Sequence, residues 1–298
     1  MDTFSPVQTL APGNHSLVPR DIPAEPFRLT PRELDAYLAR IGLGRPRAAD
    51  LPTLVALHHA HVTSFTWEAI DAFMGWPVDP HPRATFAKMV DGRRGGWCYE
   101  MNGLFGAALA ALGYKVTRLC AGVRRAEMGD MAVGNHLTLR VDLDQPWLAE
   151  VGLGDAILAP VPMRPGAIEQ YGRAFAIAEA DGGWLRFHNH RHGAAPSFDF
   201  RPGHRDEAAL AAAHAVLTRD AGSPFVRNLV VQRHAPGRTE AIFNHTRRIV
   251  TDAGVEERPI TDAREFARLL REVFQIEVPE PEAVWARVVE TERDWLAA

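Results

Sequence analysis

Apolar residues change their spacing once along this chain, near Gly113, and that change limits the folds open to it. Before it they recur every three to four positions, as helices require; after it they alternate, as strands require. "TPRELDAYLARIGL" has a Thr cap, a Pro at the first helical position and a Glu three residues after the cap, then Leu34, Tyr37, Leu38 and Ile41 at helical spacing. "LPTLVALHHAHVTSF" repeats the pattern with Leu54, Leu57 and His61, and "ATFAKMV" reads as a short helix. "CYEMNGLFGAALAALG" lines up Met101, Leu104, Phe105, Ala108 and Leu112 and stops at Gly113. The stretches "KVTRLCAGV", "NHLTLRVDL", "WLAEVGL", "FAIAEA" and "WLRFHNHRH" are short, alternating and separated by turn residues, which predicts an antiparallel sheet or barrel to about residue 205. Beyond it, "RDEAALAAAHAVLTRD" is helical, "NLVVQRH" and "AIFNHTRRIVT" read as strands, and "DAREFARLLREVF" and "PEAVWARVVETERDW" as helices. The expected fold class is α+β. A loose arm over residues 1–25 precedes a helical bundle (26–113), a β-barrel (114–205) and an α/β unit (206–298).

Composition excludes several classes. The chain has 298 residues, 46% hydrophobic and 23% charged, which is ordinary for a globular protein of two or three modest domains. A formal net charge of -4 gives no ground for a nucleic-acid partner. No apolar run approaches the roughly 20 residues of a membrane span, and the N-terminus lacks the basic region and apolar core of a signal peptide. Two cysteines, Cys98 and Cys120, cannot build a disulfide framework, so a reducing, cytoplasmic setting is expected.

Cys98 follows a glycine pair in "RRGGWCYEMNG" and stands where a helix is expected to begin. A helix start aims unpaired N–H groups and a positive dipole end at the sulfur. That favours thiolate, the reactive form, and the same N–H groups can hold an oxyanion. The alternative is a small buried structural residue; Cys120, inside an alternating strand, is assigned to the core. A nucleophilic thiol needs a base, and the base needs an orienting group. His136 starts a strand whose residues His136, Thr138 and Arg140 share one face. With the hairpin pivot at Leu143, Glu150 falls opposite His136 on that face. Asp155, five residues on and of opposite parity, is the competing carboxylate, and Glu150 is preferred on register.

These residues carry a resemblance. "RRGGWCYEMNGLF", a His on a strand and "WLAEVGLGD" together resemble the arylamine N-acetyltransferase family. "LHHAHVTSFTWEAID", "SPFVRNLVVQR" and "LLREVFQIEVP" resemble further stretches of it, so that the likeness runs from about residue 28 to the end. The resemblance implies a helical bundle, a β-barrel and an α/β lid around a catalytic core like that of cysteine proteases and transglutaminases. It implies a triad of Cys98 as nucleophile, His136 as base and Glu150 at the acidic position, where Asp is usual. It also implies acetyl-CoA as cosubstrate with no permanently bound cofactor, an arylamine, hydrazine or N-hydroxyarylamine as acceptor, and a ping-pong reaction through an acyl-cysteine, in the setting of xenobiotic metabolism. Gly152 and Gly154 fall where the family's Gly-x-Gly turn lines the cleft near the acyl donor, and Leu153 falls in the acceptor pocket. Ala69 and Leu153 depart from the usual Asn and Phe. Two other functions share the motifs: an amide synthase closing macrolactams from a carrier-protein thioester, and a non-catalytic binding protein.

Three clusters remain. His188, His190 and His192 alternate in "FHNHRH" and read as a solvated strand face; no metal site is expected. His58, His59 and His61 lie on a helix and read as interhelical or surface residues, since they lack the general base of a zinc-protease motif. Of Arg93 and Arg94, one either positions the Cys98 loop or meets a CoA phosphate, or both are a solvated pair.

Overall fold

The computed structural model describes the backbone of residues 27 to 297 and the side chains of residues 27 to 292. The arm expected over residues 1–25 lies outside the described residues. Helix α1 (Pro31–Arg40) starts with a reciprocal cap: Thr30 Oγ1 accepts the Glu33 N–H (3.3 Å), and the Glu33 carboxylate accepts the Thr30 N–H (2.7 Å). Helix α2 (Leu51–Ser64) is capped by Asp50, which accepts the Thr53 N–H at 2.9 Å. A two-residue strand β1 (Trp67–Glu68), α3 (Ile70–Met74) and α4 (Pro82–Phe86) follow, the last running into a π-turn at Ala87–Asp91. Helix α5 (Cys98–Ala111) is buried at every residue from Cys98 to Ala110, not along one stripe. Its small residues permit this: Gly106 faces Leu139 with no side chain between them.

The next sheet contains β2 (Lys115–Val123), β3 (His136–Asp142), β4 (Pro146–Leu148), β5 (Val161–Pro162), β6 (Gly166–Gln170), β7 (Arg173–Ala180), β8 (Trp184–His188) and β9 (Ser197–Phe200), with a helical turn α6 (Arg125–Met128) after β2. The strands are antiparallel in the order β5-β4-β3-β2-β9-β8-β7-β6 and curl into a nearly closed barrel. One face of β3 packs Leu137, Leu139 and Val141 into the cluster that holds α5. The barrel's own cluster is built from Leu119, Ala121, Phe175, Phe187, Phe198 and Phe200. Gln170 ties its edge strand to the far side: its amide oxygen accepts the Leu158 and Ala159 N–H groups (2.9 and 3.1 Å) and its nitrogen donates to Ala159 O (3.0 Å).

The remaining chain forms α7 (Glu207–Arg219), α8 (Pro224–Arg227), β10 (Val230–Ala235), β11 (Arg238–Phe243), β12 (Thr246–Thr251), β13 (Gly254–Pro259), α9 (Ala263–Glu272) and α10 (Pro281–Ala297). Its sheet runs β1-β10-β11-β12-β13. Three expectations need correction. The stretch read as one strand, "AIFNHTRRIVT", is a hairpin that reverses at Asn244, whose φ of 52° is the left-handed region Asn tolerates. The strand read through "WLRFHNHRH" ends at His188. Finally, β1 and α3 pack with the C-terminal part: Ile70 and Phe73 share a buried cluster with Val231, Ile242, Phe266 and Leu269. A two-residue strand has no period to detect.

Replacing Gln170 by Leu strands two N–H groups and a carbonyl at the barrel edge. We expect a loss of about 1–3 kcal/mol in stability, read from the urea midpoint at unchanged slope.

Candidate active site

Cys98 is the first residue of α5 and only 5% exposed. The loop ahead of it lies flat on β1: Gly96 N–H donates to Thr66 O and Glu68 N–H donates to Gly96 O, each at 3.1 Å. A Cβ on Gly95 would sit 2.2 Å from Thr66 O, and one on Gly96 would sit 2.8 Å from Glu100 Cβ. The glycine pair is therefore dictated by closeness of two backbones. Behind the loop, five ionisable side chains cluster, four of them buried and Lys88 partly exposed. Arg94 donates from Nε and Nη2 to Glu68 Oε1 (3.0 and 2.8 Å) and from Nη2 to Asp71 Oδ1 (2.6 Å). Lys88 Nζ bonds both Glu100 oxygens (3.0 and 2.9 Å) and lies 2.7 Å from Asp71 Oδ2. Glu100 in turn accepts the Trp97 N–H (3.2 Å), one of the groups a helix start leaves unpaired. Burial pushes the Glu100 carboxyl up to about 7 despite Lys88. Arg94 thus positions the loop, and Arg93, at φ 51°, is exposed.

His136 and Glu150 meet beside Cys98. His136 Nε2 donates to Glu150 Oε2 at 3.0 Å, both side chains being at most 1% exposed. A carboxylate only accepts, so Nε2 carries a proton and Nδ1 is left for the thiol. Burial by itself would lower the imidazole pKa. The Glu150 charge, hydrogen bonds with Cys98 and Glu150, and the Cys98 charge outweigh it and raise it to about 10. For Glu150, burial pushes upward, and the charge and hydrogen bond of His136 hold it below the ordinary value. The Cys98 sulfur also lies 4.0 Å from Asn135 O.

The route by which Glu150 reaches His136 differs from the expected one. The β3–β4 ladder pairs Asp142 with Pro146, Val141 with Trp147 and Arg140 with Leu148, so its pivot is Asp144 rather than Leu143, and it ends at Leu148. His136 and Glu150 are not cross-strand partners. Glu150 stands in the loop after β4, and its longer side chain turns back over that loop. Oε1 accepts the Gly152 N–H (2.5 Å) and Asn102 Nδ2 (3.2 Å) while Oε2 meets His136. Asp155 is occupied elsewhere, accepting from Asn189 Nδ2 (3.1 Å) and Ala194 N–H (2.6 Å) ahead of β9.

Gly152 and Gly154 are required by packing. A Cβ on Gly152 would lie 2.3 Å from Asn102 Nδ2 and 2.9 Å from Cys98 Cα; on Gly154, 2.7 Å from Gln232 and Trp67. Trp67 Nε1 donates to Gly152 O at 2.7 Å. The turn is thus wedged between α5 and the β1–β10 edge, and Leu153 packs against the barrel cluster. Cys120 is fully buried in β2, and burial pushes its thiol up to about 12. Within the histidine run His188 is exposed as expected and His192 is half-buried, but His190 is buried, with Nε2 3.0 Å from Asp155 O. Among the described residues, no group of three or more His, Cys, Asp or Glu is arranged to hold a metal.

Two contacts at the site went unread in the sequence. Asn102 follows Cys98 by one helical turn, so the i+4 spacing put it within view. It donates to Leu137 O (2.7 Å) and Glu150, and its oxygen accepts the Val151 N–H (3.2 Å). His58 Nε2 lies 3.0 Å from Glu150 O across 92 positions of chain, and no local pattern announces it. A thiol, an imidazole and a carboxylate in series at a helix start are equipped for covalent acyl chemistry.

Comparison with known proteins agrees with this geometry. A family model described as N-acetyltransferase matches residues 50–283. An arylamine N-acetyltransferase of Mycolicibacterium smegmatis is 43% identical over 146 residues, covering 46% of this chain and 53% of that protein, about half its length. One of Escherichia coli K12 is 26% identical over 251 residues, covering 82% and 89%. The structure of Mycobacterium marinum arylamine N-acetyltransferase in complex with CoA superposes with a TM-score of 0.79 at 28% identity, over 87% of this chain and 99% of that one. The chain belongs to the arylamine N-acetyltransferase family.

Proposed function

We propose that this chain moves the acetyl group of acetyl-CoA to the nitrogen of an arylamine, hydrazine or N-hydroxyarylamine by way of an acetyl-cysteine at Cys98. The observation that carries the reading is the Cys98–His136–Glu150 series at the start of α5, within a fold whose M. marinum counterpart is a complex with CoA. In the first half, the Cys98 thiolate attacks the thioester carbonyl. The resulting oxyanion is held by N–H groups at the α5 start, that of Cys98 among them. The carbon–sulfur bond to CoA breaks, and His136 gives its proton to the departing thiolate. In the second half, the amine nitrogen attacks the acetyl carbon, His136 takes the amine proton, and the bond to Cys98 breaks. One thiol serves both substrates in turn, so the kinetics are ping-pong. Arylamines suit the site because they are neutral at pH 7 and present a free lone pair. Acetyl-CoA comes and goes as a cosubstrate, with no resident cofactor in the scheme. No described helix is long and apolar enough to cross a membrane, and we place the reaction in the cytoplasm.

Glu150 keeps the base oriented and charged in this scheme. Its extra methylene is taken up by the turn of the side chain back onto the Gly152 N–H.

Intact mass after brief incubation with acetyl-CoA alone is expected to rise by one acetyl group. The gain disappears in Cys98→Ala and on adding an arylamine. An unchanged wild-type mass with every short acyl-CoA overturns the reading.

Glu150→Gln is expected to slow acetyl transfer on the order of 100-fold or more, and Glu150→Asp about 100-fold, because a shorter carboxylate falls roughly 1 Å short. Asp155→Asn should leave kcat near wild type; the reverse order would assign the wrong carboxylate.

The pH dependence follows from the ion pair. His136, raised to about 10, stays charged below that pH and is lost as pH rises through it. Glu150, held low, is lost as pH falls through the carboxylate range. In Glu150→Gln the ring remains buried without its counter-charge, so the imidazolium gives up its proton at lower pH. Cys98 alkylation by iodoacetamide at pH 7 should then slow, on the order of tenfold for each unit by which the imidazolium pKa falls below 7.

A further inference from the structure

We infer that His58 is a positioning residue for the reaction, fixing the peptide that aims the Glu150 carboxylate at His136. The inference rests on the reading of Glu150 as the carboxylate that orients the base. It begins with where the ladder stops. The last β3–β4 pair is Arg140 with Leu148, and the last backbone bond beyond it is Ala149 N–H to Leu139 O (2.9 Å). From Glu150 on, the sheet no longer dictates the path of the chain.

The peptide unit joining Glu150 to Val151 is instead held at both ends by side chains from two helices. Its N–H, on Val151, donates to Asn102 Oδ1 on α5 at 3.2 Å. Its carbonyl, on Glu150, faces His58 Nε2 on α2 at 3.0 Å, and among the described residues no other donor reaches that oxygen. A carbonyl only accepts, so His58 presents Nε2–H and its Nδ1 is bare. Nδ1 is buried and makes no hydrogen bond of ordinary geometry, and the Leu158 carbonyl also lies against the ring. The ring is fully buried and stands edge-on to Phe105 of α5, with centroids 5.8 Å apart at 84°. Burial holds its pKa down to about 4, so it stays a neutral donor at working pH.

Orientation of this peptide decides the carboxylate. A rotation of its plane carries the following N–H, on Gly152, away from Glu150 Oε1, which it now meets at 2.5 Å. The side chain then loses the contact that folds it back, and Oε2 loses its aim at His136 Nε2. His58 touches no reacting atom; it acts through Glu150.

The test compares His58→Gln, His58→Asn and His58→Leu. Gln can place its amide nitrogen where Nε2 stands, Asn is one methylene short, and Leu fills the space without a donor. Gln is expected to keep kcat within about threefold, while Asn and Leu lose on the order of tenfold or more, with KM for acetyl-CoA unchanged. In Asn and Leu the pH profile of Cys98 alkylation should move toward that of Glu150→Gln, and combining His58→Asn with Glu150→Gln should add nothing further. Wild-type kcat and alkylation profiles in Asn and Leu, accompanied only by lower thermal stability, would make His58 a packing residue and overturn the inference. So would a loss in Gln as large as that in Asn. Alkylation needs no acyl substrate, so the coupling of His58 to Glu150 is read even if the wild-type chain proves not to be acetylated.

Discussion

A buried carboxylate governs this structure. Glu150 is 1% exposed, and an ionised group so far from water is tolerable only where donors face it from several sides. Here they come from His136 on β3, Asn102 on α5 and the Gly152 N–H of its own loop. Three separate stretches must arrive together before the charge is satisfied. The requirement reaches outward: α5 must lie close enough to the loop that Gly152 has room for no side chain, and α2 must bring His58 to the carbonyl beside it.

The second buried charge set serves a different end. Glu68, Asp71, Lys88, Arg94 and Glu100 pack behind the nucleophile loop. Buried ion pairs are seldom strong sources of net stability, because desolvation opposes the attraction. Their geometry is demanding, however, and removing one partner leaves a charge unmatched. The cluster fixes how β1, the π-turn and α5 sit around Gly95 and Gly96, and therefore where Cys98 points. Arg94 and the glycine pair are parts of one device, with the arginine pinning the loop from below and the glycines letting it lie flat on β1.

Much of the site was legible along the chain, for reasons that are local. Cys98 was visible because a helix start leaves N–H groups unpaired, and His136 because a strand end follows alternation. The expected pairing register differs from the observed one by two residues, and the Glu150–His136 contact forms nonetheless because a flexible glutamate reaches back from a loop. The hairpin at Asn244 is hidden because a two-residue turn, with only Asn244 left-handed, leaves the apolar alternation on either side nearly intact. The burial of His190 and the contact of His58 with Glu150 O are not legible along the chain, because alternation and helical period say which face a residue takes, not what will cover that face.

By itself the sequence determined the succession of helix, strand and mixed segments, the nucleophile with its helix start, and the base at its strand end. Each depends on residues within a turn or two of one another, where backbone geometry is nearly fixed. The tertiary structure alone decided that β1 joins a strand more than 160 residues away, that Asn102 and His58 hold the two ends of one peptide, and that Arg94 is buried while Arg93 is not. Those outcomes depend on which surfaces meet when the chain closes on itself. Hydrophobic pattern drives that meeting without specifying its partners, and the partners are settled by shape and by the need of every buried charge and polar group for a counterpart.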